Sequence, residues 1–262
     1  MIAFENISVV GWEPAIRGMR NPMNSWEKSG SLFFDYGDLD DKFVCHTITN
    51  KKKIVQPEEW NADITAKEMI GSSDLVLMKK LSAAGSDHAK FRRMIVVYMD
   101  ITAPLYWWKE FDTYKVGTVA NSCSTMHKIA DKEFTIEDFS TEHLRSEEVE
   151  CLQETIRFLN GNRELYLESK DKSDWWQMIQ LLPSSYNQKR TVMVNYEVLA
   201  NIYRSRRNHK LDEWHGLCKL ITTWPYAEGI IFPELTEEEK LASDILLGDG
   251  SLYPVEGENG SD

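Results

Sequence analysis

The chain has 262 residues, 42% hydrophobic and 27% charged, enough apolar material for one large domain or two small ones and too much for wholesale disorder. Its net charge of -12 and pI of about 5.1 argue against non-specific binding to nucleic acid or to an anionic membrane, which needs a basic face. Four scattered cysteines (Cys45, Cys123, Cys151, Cys218) make no ligand-spaced set, so no metal is expected; with no signal peptide or membrane span legible, a cytoplasmic location with free thiols is the expectation.

In the first ~60 residues, VVGWEP and SLFFDYGDLDDKFVCHTI each suit a strand or a loop, and Lys51-Lys52-Lys53 followed by QPEEW suits an exposed turn. SDLVLMKKLSAAG, from Ser73, has helical periodicity with Leu75, Met78 and Leu81 on one face and a stop at Gly85. MIVVYMDI (94–101) is the best strand candidate, ended by Ala103-Pro104, and LYWWKEFDTYKV (105–116) reads as a helix ending at Gly117. Residues 140–169 carry Leu144, Leu152, Ile156 and Leu159 at helical spacing, with Ser140 or Thr141 as a cap. WWQMIQLLP (175–183) is a short helix stopped by Pro183, followed by a polar turn, SSYNQKR. The pairs Trp107-Trp108 and Trp175-Trp176 suit a core or an interface.

Asn195 to Trp214, NYEVLANIYRSRRNHKLDEW, reads as one helix. At about 100° per residue, Asn195, Leu199, Ile202 and Arg206 fall along one stripe. An amide and a guanidinium on one stripe can hold a phosphate or the edge of a heterocycle. The plainer reading is an N-cap asparagine, a surface asparagine at 201 and a solvated arginine. RSRRNHK (204–210) is likewise either a phosphate clamp or a basic helix end. Ser124 and His127 pair a hydroxyl with a base, but three-residue spacing is too common to favour a hydrolase.

Four segments in order resemble the flavin-dependent thymidylate synthase (ThyX) family: His88, then MIVVYMDI, then Ala103-Pro104 with LYWWKEFDTYKV, then Leu182-Pro183 with Asn195, Asn201 and Arg206. The match spans roughly residues 74 to 215. The resemblance implies an α+β fold: a ThyX-like domain with a central antiparallel sheet flanked by helices. Residues 1–73 would be its poorly matched N-terminal part, 74–232 the core and 233–262 an acidic flexible tail. It further implies a homotetramer, FAD contacted by His88, Asn195 and Asn201, and a pyrimidine nucleotide contacted by Arg206, Lys115 and Ser124. If the family activity were retained, methylenetetrahydrofolate and NADPH would be used and a one-carbon unit transferred to C5 of the base. No residue is assigned a catalytic role.

Departures accompany the match. The family's Arg-His-Arg is replaced by Thr113-Tyr114-Lys115, or by Tyr114-Lys115-Val116 with one insertion. Under the insertion Asn121 and Ser124 match polar positions, while Met126 and His127 replace an arginine and a tyrosine. Arg93-Met94 stands where the family has Glu-His, and Glu197 where its helix has an arginine. A carboxylate facing a phosphate repels it by several kcal/mol on a rough Coulomb estimate, with Lys115, Arg190, Arg204 and Arg207 as compensating cations. These exchanges argue against unmodified dTMP synthesis. They leave open a non-catalytic nucleotide-binding protein or a structural, partner-binding relative on the same scaffold.

Overall fold

The computed structural model describes residues 2–34, 43–55 and 68–232; the QPEEW turn and the acidic tail lie outside the described residues. The chain divides into two compact units. One comprises Met1–Ser8, Val97–Val194 and Leu211–Glu213, the other Val9–Val96, Asn195–Lys210 and the chain from Trp214 onward.

The first unit is built on a four-stranded sheet of order β1-β6-β8-β7, from β1 (Ala3–Val10), β6 (Val96–Pro104), β7 (Thr118–Ser122) and β8 (Asn187–Asn195). β7 and β8 are antiparallel, with Thr118 opposite Val194 and Ser122 opposite Arg190. β6 forms where β-branched and apolar residues alternate with polar ones: Val97, Met99, Ile101 and Ala103 are buried and Tyr98 is exposed. The expected helix after Ala103-Pro104 is α3, Leu105–Phe111, shorter than its periodicity suggested. Trp107, Trp108 and Phe111 are fully buried and mutually packed, and the Trp108 indole donates to the Gln188 carbonyl at 2.9 Å. The second tryptophan pair differs, with Trp176 at the surface.

The long helix α4 runs from Ser146 to Ser169 and buries Leu152, Ile156 and Leu159 against Met178 of α5, Lys172–Leu181. It starts six residues later than the expected cap at Ser140. Ser140 is already committed elsewhere: its N–H donates to Ser185 and its hydroxyl to Asn187, beside a bridge between Phe139 and Tyr186. Asp171 caps α5 by accepting from the Ser173 N–H at 2.8 Å. The polar turn after Pro183 is brief, and most of that segment is β8.

The second unit holds a smaller sheet of order β4-β3-β2-β5, all antiparallel, from β2 (Leu32–Phe34), β3 (Phe43–His46), β4 (Lys52–Val55) and β5 (Glu68–Met69). Lys52, expected in a turn, is thus strand. Around it stand α1 (Trp12–Arg20), α2 (Ser72–Ala83), a 3-10 turn at Lys90–Arg93, α6 (Tyr196–Arg206) and α7 (Asp212–Thr222). Gly85, in the left-handed region at φ 105°, closes α2 as expected. Gly11 (φ 98°) lets the chain enter α1 against the Met94 carbonyl, which an added Cβ would meet at 2.1 Å.

α1 and α2 are locked by a buried ion pair. Arg20 donates through Nε to Asp74 Oδ1 at 2.6 Å, with both side chains almost wholly buried. Asp74 Oδ2 accepts from the Ser29 hydroxyl, the Ser31 hydroxyl and the N–H groups of Gly30 and Ser31. The remaining Arg20 nitrogens reach the Ser25 and Lys28 carbonyls. A buried charge persists only when compensated in this way.

Candidate functional site

The expected single helix over Asn195–Trp214 is two, α6 and α7, separated by a turn through Arg207–Leu211. α6 stops where the Arg207 N–H bonds the Tyr203 carbonyl, and Asn208 and His209 turn the chain. Asp212 and Glu213 open α7, where acidic residues suit the helix dipole.

On α6 the stripe of Asn195, Leu199, Ile202 and Arg206 is the inward one: Leu199 and Ile202 are fully buried. Asn195 caps the helix, its side-chain oxygen accepting from the Val198 N–H at 3.0 Å. Asn201 is exposed and lies about 140° around the helix from Arg206, so the two do not address one point. Arg206 is half-buried, its guanidinium 4.8 Å from the ring centroid of Trp214, and His209 meets the same ring edge-on. Stacking of this kind fixes the orientation of a guanidinium plane.

Glu197 points to an arginine. Its carboxylate lies 2.8 Å from Nε of Arg92, and both side chains are largely buried. At that separation and burial the two charges compensate each other directly. Arg92 also donates through Nη1 to the Ile230 carbonyl at 3.0 Å. Burial lowers the Arg92 pKa, Glu197 pulls it back up, and the charges on Arg204 and Arg93 lower it further. Arg92 is thus a compensating cation that spacing on α6 does not disclose, because it comes from the 3-10 turn packed against that helix.

His88 is exposed in the turn leading to that segment, its backbone N–H bonded to the Gly85 carbonyl. His88, Asn195, Asn201 and Arg206 therefore share one compact unit, while Lys115 and Ser124 belong to the other. Lys115 is exposed in the loop after α3. The Ser124 hydroxyl accepts from the backbone N–H of His127 at 3.0 Å, a local turn bond rather than a nucleophile–base contact.

Arg190, a candidate compensating cation, is already engaged. It stacks 4.2 Å from the Trp108 centroid, donates to Asp112 at 2.8 Å and to Gln188 at 3.0 Å. Elsewhere in this unit Tyr106 donates to the Glu213 carboxylate, and burial followed by that contact raises the tyrosine pKa.

No family model matches the sequence and no curated protein matches it. Solved structures do. Flavin-dependent thymidylate synthase ThyX from Helicobacter pylori, complexed with FAD and dUMP, superposes with a TM-score of 0.55 at 14% identity, over 87% of this chain and 97% of that one. A second structure of the Helicobacter pylori enzyme, also with FAD and dUMP, gives 0.56 at 15% identity, over 91% and 99%. A UMP/dUMP methylase from Streptomyces cacaoi, bound with 5-Br UMP, covers 58% of this chain at a TM-score of 0.41, too low to weigh. The chain has a ThyX-like α+β fold, as the ordered segments implied. No helix among the described residues is long and apolar enough to cross a membrane.

Proposed function

We propose that the protein binds a pyrimidine nucleotide and a flavin on a ThyX-like scaffold, and that any reaction it performs is one-carbon transfer to C5 of the base. The observation that carries this is the shared fold over nearly the whole of both chains with structures that hold FAD and dUMP. Arg206, braced on Trp214, is the residue assigned to the nucleotide phosphate, with Lys115 and Ser124 as further polar contacts. Asn195, the exposed amide of Asn201 and His88 are the flavin-facing set of this reading. Their neutral donors suit the polar edge of a flavin ring but do not neutralise a diphosphate. Flavin would supply the redox chemistry, with methylenetetrahydrofolate as carbon donor and NADPH as reductant; the chain's residues would bind, orient and polarise. A cytoplasmic homotetramer belongs to the same reading.

A second reading, nucleotide binding without catalysis, is favoured by Thr113-Tyr114-Lys115 in place of Arg-His-Arg and by Glu197 in place of an arginine. One experiment separates them. The purified protein is soaked with FAD, freed of excess and examined by absorbance, then assayed with dUMP or UMP, methylenetetrahydrofolate and NADPH. Retained flavin with nucleotide-dependent turnover supports the enzyme. A colourless protein whose melting temperature rises with UMP or dUMP supports the binder, since a ligand selective for the folded state must stabilise it. A protein that neither retains flavin nor is stabilised by UMP or dUMP would refute both readings.

A further inference from the structure

Gly161 interrupts α4 without a packing neighbour that requires glycine. It is helical, where glycine is among the poorest residues, and a Cβ built on it meets no atom of the described residues within 4 Å. It lies two positions beyond buried Leu159, about 200° around the helix and so on the side that faces away from the core. The same outward face carries Phe158 and Leu165, three before and four after the glycine, which are 57% and 54% exposed. Two large apolar side chains thus flank a position that has none, forming an open notch. Asn162 beside it is occupied, its amide donating to the Phe158 carbonyl at 2.9 Å. The ends of this face are acidic. Glu147 and Glu150 on one side and Glu164 and Glu168 on the other are exposed and have no cation partner among the described residues. Glu148 and Glu154, by contrast, are paired to Arg145 and Arg157.

We infer that this face of α4 is a docking surface for a basic amphipathic helix of a partner protein. Such a helix sets an apolar residue into the notch over Gly161, between Phe158 and Leu165, and its lysines or arginines against the four unpartnered carboxylates. Glycine at the contact lets two helix backbones approach more closely than a side chain would allow. Positions 158, 161, 162 and 165 also have the i, i+3, i+4, i+7 spacing by which one helix reads another. Charge selects the occupant. The glutamates repel an anionic membrane surface. A second copy of α4 carries carboxylates at both ends of the same apolar stretch, so it meets like charge in either orientation. The surface belongs to α4 alone and does not depend on the nucleotide or flavin reading.

The test uses the full chain and three labelled synthetic peptides, read by fluorescence anisotropy. One is helical, with leucine and alanine on one face and lysine on the other; the second is a scramble of the same composition; the third has glutamate for lysine. The lysine peptide is expected to bind at least about tenfold tighter than the scramble, with an affinity that falls as salt rises, and the glutamate peptide not to bind. Gly161→Leu fills the notch at a position where a Cβ meets nothing, and leucine is the better helix former. It should melt at or above the parent and lose affinity for the lysine peptide by about tenfold or more. Phe158→Ala/Leu165→Ala alters only exposed side chains, so it should melt as the parent does and lose as much. Failure of the lysine peptide to bind, equal binding of its scramble, or undiminished binding to a folded Gly161→Leu protein overturns the assignment. Self-association of the parent that Gly161→Leu abolishes also overturns it, because a second copy would then be the occupant.

Discussion

Replacing Asp74 by Asn isolates the energetics of the lock between α1 and α2. The change is isosteric and removes one charge. Arg20 would then be left with 3% exposure and no counter-ion, and breaking one side of a buried pair costs about 3–5 kcal/mol. A second penalty follows from geometry. Asp74 Oδ2 accepts four donors, from Ser29, Gly30 and the N–H and hydroxyl of Ser31. An asparagine NH₂ at either oxygen's place must face a donor, Arg20 Nε or this group of four. For a domain stable by about 5–15 kcal/mol, the loss is a large fraction of the total. At about 2–4 °C per kcal/mol it lowers the melting temperature by roughly 6–20 °C. Urea unfolding followed by tryptophan fluorescence reads it, with Asp87→Asn, exposed in a turn, as the control. A loss below about 1 kcal/mol in Asp74→Asn would refute the view that this network holds the helices.

Four further expectations are open to measurement. Asn195→Ala should cost about 1 kcal/mol by removing the cap of α6, whereas Asn195→Asp keeps the accepting oxygen and the stability; if the NH₂ contacts flavin, only the aspartate variant shows lost flavin binding without lost stability. Gly11→Ala should destabilise by about 1–3 kcal/mol or more from its φ alone, with the Met94 clash adding to it, as denaturant titration would show. Burial pushes the Cys218 thiol up to about 12. Its folded pKa thus exceeds the unfolded one, so its contribution to stability is complete below about pH 9 and is lost as pH rises toward about 12, which alkaline unfolding curves check. Under native conditions a thiol reagent should label exposed Cys123 and Cys151 quickly and buried Cys45 and Cys218 only on unfolding, resolved by peptide mass spectrometry.

The elements most legible in the sequence were those whose side chains alternate or recur without interruption. MIVVYMDI declares β6 because its buried positions are β-branched or apolar, and α4 is evident from Leu152, Ile156 and Leu159. β8 was hidden because two of its inward positions are Gln188 and Arg190, polar residues that a period-2 reading places outside; they are tolerated because Arg190 lies on Trp108 and Gln188 bonds its neighbours. The break between α6 and α7 was obscured for a different reason: Arg207, Asn208 and His209 include neither glycine nor proline, so nothing local announces the stop. For the site, Asn195, Asn201 and Arg206 are legible as a pattern, but their directions are not. Arg92, Trp214 and the pairing of Glu197 depend on tertiary packing, and single-helix spacing cannot supply it.

The bond from Arg92 to the Ile230 carbonyl holds the end of the described chain, and the sequence beyond it has an electrostatic consequence. Beyond Phe232 the sequence holds nine acidic residues and a single lysine, hence -8 of the protein's -12. The first 232 residues therefore carry only -4, and the first of those nine acidic residues, Glu234, comes four positions after the residue that Arg92 grips. Removing residues 233–262 should accordingly move the net charge of the chain from -12 to -4, which electrophoretic mobility would read.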